Sequence, residues 1–68
     1  MKDAFGYTLK RGNTIAYASR QGSNLFLRRG RVADESDKQC TVEWETEYGY
    51  APEKPSVLKT PGLIARVA

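Results

Sequence analysis

A chain of 68 residues, 40% hydrophobic and 28% charged, is one small domain, too short to bury more than about 60% of the surface its unfolded form exposes. One cysteine, Cys40, and no histidine exclude an internal disulfide and a structural zinc site, so packing, or packing with self-association, must hold the fold. The net charge of +3 is unevenly placed: residues 1–33 carry seven Lys/Arg and one acid, residues 34–68 four Lys/Arg and seven acids.

Residues 1–9 read as a lead-in, with Phe5, Tyr7 and Leu9 apolar at period two, and residues 10–67 as one barrel. Arg11-Gly12-Asn13 is a turn. The first strand spans 14–20, with Ile15 and Tyr17 on one face and Thr14, Ala16 and Ala18 on the other. Residues 20–24 are a polar loop. The second strand spans 25–34, with Leu25 and Leu27 on one face and Phe26 and Arg28 on the other. Val32 is out of phase with Leu25 and Leu27, so a bulge or bend at Arg29-Gly30 is expected to restore it to the core. The third strand, 40–48, alternates Cys40, Val42 and Trp44 against Thr41, Glu43 and Glu45, with Glu47 continuing the acidic face. Trp44 is expected inside, beside Val42 and Ile15. Residues 49–55 form a loop with two prolines, 56–59 a short strand, and Thr60-Pro61-Gly62 a tight turn. A closing strand, 63–67, pairs back with the first.

Gly or Pro interrupts every window of a dozen residues except 31–48, whose second half alternates as a strand does, so no long helix is expected. Five short strands with turn signals every 8–12 residues predict an all-β fold: a single five-stranded SH3-like barrel made from a strongly bent antiparallel sheet. No apolar run follows Met1-Lys2-Asp3 as a targeting segment would require, and nothing approaches the ~20 apolar residues of a membrane span. The lone thiol suits the cytoplasm.

The residue set disfavours an enzyme. Without histidine no unperturbed side chain titrates near neutrality. Cys40 has no adjacent base and lies on an apolar face, and Glu43, Glu45 and Glu47 share a solvated one. No glycine precedes a helix start as a phosphate loop requires. No catalytic residue, cofactor or metal is therefore expected.

Two binding surfaces remain. Phe26, Arg28, Tyr48 and Tyr50 form a set of aromatic and arginine anchors of the kind that dominates protein interfaces. Alternatively, Arg20, Arg28, Arg29 and Arg31 form a nucleic-acid face, with four phosphate contacts giving a log–log salt slope of roughly −3 to −4. The two readings part on one point. Arginines laced with Glu43, Glu45 and Glu47 favour the protein or structural reading, and arginines clustered away from acids favour nucleic acid. The short strand 56–59 also offers an edge on which two copies can pair as a homodimer.

The run GNTIAYASRQGSNLFLRRGRV at residues 12–32, with the Tyr-rich loop and the terminal LIARV, resembles small accessory proteins encoded by tailed bacteriophages. The Gly-x-Val element Gly30-Arg31-Val32 is similar to that of SH3-like, KOW-type barrels. The resemblance spans about residues 5–67 and imports no activity. It implies a protein of the bacterial host cytoplasm that binds a host or phage macromolecule.

Overall fold

The computed structural model describes residues 1–47, 49–50 and 54–67. Strands form at β1 (Thr14–Gln21), β2 (Asn24–Glu35), β3 (Cys40–Trp44), β4 (Ser56–Leu58) and β5 (Ile64–Arg66), with a 3₁₀ turn at Pro61–Leu63. They make one antiparallel sheet in the order β4-β3-β2-β1-β5, so β4 and β5 stand at its edges. The last strand returns to β1, with Tyr17 opposite Ile64, as the sequence predicts. Among the described residues, no helix is long and apolar enough to cross a membrane.

Period-two alternation explains which side chains turn inward. Ile15, Val32, Cys40, Val42, Trp44, Leu58 and Ile64 are buried and join Leu9 in one core, so all five strands contribute to it. Tyr17 packs half-buried against that core. β3 buries Cys40, Val42 and Trp44 in strict alternation and ends at Trp44, short of the expected residue 48.

The phase of β2 corrects the sequence reading. Its register with β1 runs unbroken from Gln21↔Asn24 to Thr14↔Arg31, straight through Arg29 and Gly30. The shift lies further on, between Val32 and Asp34 in the pairing with β3, where Ala33 is the extra residue. Arg28, Gly30 and Val32 therefore share the inward face by simple alternation. Leu25 and Leu27 take the outward face, 67% and 82% exposed. Gly30 is needed for close approach: a Cβ there would stand 2.4 Å from Cγ1 of Val42 and 2.9 Å from Cε3 of Trp44. The missing side chain is the space in which the indole lies.

The lead-in also departs from its expected alternation. Leu9 is buried, but Phe5 and Tyr7 are exposed. The cause is Asp3, a buried carboxylate that no pattern in the sequence singles out. Its Oδ1 accepts the N–H groups of Phe5 (3.0 Å) and Tyr7 (2.8 Å), and its Oδ2 accepts that of Arg66 (2.7 Å). Ala4 N–H donates to the carbonyl of Ile64 at 2.8 Å. The lead-in is thereby tied along the outer edge of β5, where unpaired backbone groups would otherwise face water.

Burial by itself would raise the Asp3 pKa. The N–H donors of Arg66, Tyr7 and Phe5, with the Arg66 charge, outweigh it and hold the carboxyl below its ordinary value. A carboxyl depressed in the folded state contributes its full stability above the unfolded value of about 3.9 and loses it as pH falls through the folded value. Asp3→Ala should therefore cost about 2 kcal/mol at neutral pH. The gap between variant and wild type should shrink below pH ~4. Urea midpoints followed by Trp44 fluorescence at pH 6 and near pH 2 measure both effects, and an equal gap at the two pH values contradicts the assignment.

Candidate functional site

β1 and β2 leave the body of the sheet as a hairpin arm. Gln21 pairs with Asn24, so the predicted five-residue loop is a two-residue turn, Gly22-Ser23. Gly22 has φ of +63°, the left-handed conformation that such tight hairpin turns require and that glycine adopts without steric cost. The arm exposes Leu25, Phe26 and Leu27 together. Because side chains alternate, Phe26 continues the inward face of β2, whereas Leu25 and Leu27 lie on the outward one.

On the inward side, Arg28 is half-buried and its guanidinium carbon lies 4.5 Å from the centroid of the Trp44 ring. This is a cation–π contact in which a planar cation covers the indole at the end of the core. Tyr17 meets the same indole, ring centroids 5.7 Å apart and planes tilted by 41°. The indole N–H donates to Oγ of Ser56 at 2.7 Å. Phe26, 47% exposed, projects beyond this stack. Tyr17 and Arg28 thus cover the buried Trp44 indole, and Phe26 lies two residues along the same face of β2 from Arg28.

On the outward side the arginines are laced with Glu43 of β3 and Glu45 just beyond its end. Arg29 pairs with Glu45 through both ends of its guanidinium: Nη2 to Oε1 at 2.6 Å, and Nε to Oε2. That mutual hydrogen bond lowers the Glu45 carboxyl and raises the Arg29 guanidinium from their ordinary values. Arg31 lies 3.6 Å from Glu43, its cross-strand neighbour, and its guanidinium carbon lies 4.7 Å from the centroid of the Tyr50 ring. Arg20 is exposed near the arm's tip.

The fold thus brings Phe26 and Arg28 together on one side of the arm and Arg29, Arg31 and Tyr50 on the other, against β3. Tyr48 lies outside the described residues. Among the described residues no group of three His, Cys, Asp or Glu side chains could hold a metal ion. The sequence reading did not single out the outward leucines. A signal existed, because three consecutive apolar residues next to a two-residue turn cannot all point into one core.

No curated protein and no solved structure matches the chain. The family described as a domain of unknown function (DUF7205) matches residues 1–67, so nearly the whole chain is that domain, and the protein belongs to this family.

Proposed function

We propose that the protein is a non-catalytic binding module, an SH3-like barrel that docks a protein partner on the inward side of its β1–β2 arm. The barrel reading is supported by the core. Leu58 and Ile64 lie on β4 and β5, at opposite ends of the strand order, yet share one buried cluster. In a flat sheet those strands would be roughly 19 Å apart, four spacings of about 4.8 Å. Curling the sheet on itself removes that separation.

The observation that carries the binding reading is the lacing of arginines with glutamates. Arg29 and Arg31 have their acids at hand, and Arg28 lies over Trp44. A guanidinium already bound to a carboxylate has fewer donors left for phosphate. A surface of Phe26 beside a planar cation resembles instead the aromatic and arginine anchors of protein interfaces. The likeness to tailed-phage accessory proteins points to a host or phage protein as the partner.

The test is affinity capture from host lysate with wild type, Phe26→Ala and Leu27→Asp. A specific partner should be retained by wild type and Leu27→Asp, and weakened roughly tenfold or more by Phe26→Ala. Equal recovery with all three overturns the reading. In parallel, a gel shift at low salt should show no nucleic-acid binding. A shift that weakens steeply with added salt and disappears in Arg28→Glu/Arg29→Glu would favour nucleic acid instead.

A further inference from the structure

The outward side of the arm carries a second surface, independent of the one proposed above. Phe5 from the lead-in, Leu27 from β2 and Leu63 from the 3₁₀ turn stand around a floor made by Ala16 and Ala18 of β1 and Ala65 of β5. Between them lies an open apolar hollow of about 220 Å³, and among the described residues no charged side chain lines it. Leu25 extends the same face toward the tip, directly opposite Arg20. The floor follows from register. Ala16 is opposite Ala65 on one side and Arg29 on the other, and Ala18 is opposite Leu27. The small side chains thus fall side by side on β1 and β5, and Leu27 of β2 stands beside them.

We infer that this face is a two-fold interface between two copies of the chain, Leu27 of each copy seated on the alanine floor of the other. Three observations select a second copy as the occupant. The first is area. Phe5, Leu25, Leu27 and Leu63 are 75%, 67%, 82% and 44% exposed. With the alanines they leave on the order of 600 Å² of apolar surface in water, at the upper limit for a monomer and close to the roughly 800 Å² each partner gives to a standard interface. The second is shape. A closed two-fold contact needs one patch that is complementary to itself, and here the same patch supplies both the projecting leucine and the hollow. The third is charge. The nearest ion pair, Arg29 with Glu45, is internally neutralised, so two copies can approach without bringing like charges together in the centre.

Sedimentation velocity over a concentration series, up to about 1 mM, tests the inference. Wild type should pass from monomer to dimer. Leu27→Asp should weaken that association roughly a hundredfold or more, because each interface loses two buried leucines and gains two carboxylates. Leu27 is almost fully exposed in one copy, so the variant should keep its fold, checked by Trp44 fluorescence and a urea midpoint. Phe26→Ala, on the opposite side of the arm, should still dimerise. That variant separates this inference from the partner-docking reading, since each can fail while the other holds. Wild type monomeric throughout the series overturns the inference, as does a dimer that Leu27→Asp leaves unchanged.

Discussion

Trp44→Ala should unfold the protein at room temperature or leave it on the threshold. Removal of a buried tryptophan costs roughly 3–5 kcal/mol, and a domain of this size without staples holds about that much in total. Trp44 is 2% exposed and packs in one core with Val42 and Ile15. Its loss also strands several partners. Arg28 loses the ring beneath its guanidinium, Tyr17 loses its tilted neighbour, and Oγ of Ser56 loses its donor. Far-ultraviolet circular dichroism and a urea titration give the result directly. A cooperative transition with a midpoint near that of wild type would show that the indole does not close the core. Trp44→Phe should be milder, because it keeps a ring over Gly30 while giving up the hydrogen bond.

Gly30→Val should approach the same severity from the opposite direction, at about 3 kcal/mol or more. Three atoms crowd the place where a Cβ would go: Cγ1 of Val42 at 2.4 Å, Cε3 of Trp44 at 2.9 Å and the Glu43 carbonyl oxygen at 3.0 Å. Two of these belong to buried core side chains and the third to backbone, so none yields as the end of a flexible surface chain would. The substitution must push β3 away from β2 or tip the indole into water. Gly30→Ala should be intermediate. Combining Gly30→Ala with Trp44→Phe should cost less than the sum of the two, because the smaller ring vacates part of the space the new methyl needs. Additive losses in that double-mutant cycle would indicate that the glycine serves the backbone and not the indole.

The strands were legible because apolar alternation and turn residues agree over most of the chain. The residues expected at 14–20, 25–34, 40–48, 56–59 and 63–67 overlap all five strands. Cys40, Val42 and Trp44 turned inward as their alternation with Thr41 and Glu43 requires. The faces of β2 were not legible. Leu25 and Leu27 outvote Phe26 in any count of apolar residues, but apolarity brings burial only where another layer lies above, and the arm projects past the core. The bulge could not be located either. Ala33 fits an extra position as readily as a paired one, and only the partner strand's register places it. Asp3 was hidden for a similar reason. One carboxylate among polar residues becomes a structural tie only when its backbone donors, including Arg66 from the far end of the chain, converge on it. Of the candidate surface, residue types were readable and neighbours were not. Four arginines stood out, but which of them face carboxylates and which face an indole depends on the strand phase that the sequence misassigned.

The enclosed sulfur of Cys40 makes the molecule its own reporter of opening. That thiol is fully buried at the start of β3, and burial pushes its pKa up, so it is both hidden and poorly nucleophilic while the chain is folded. A thiol-directed dye can react only during excursions that part β3 from its neighbours, and its labelling rate then counts those excursions without any introduced tag. The arm has no such sentinel and can fray unseen by the dye. Each molecule that is captured while open carries a bulky adduct that no longer fits inside, so the reaction also removes chains irreversibly from the folded pool.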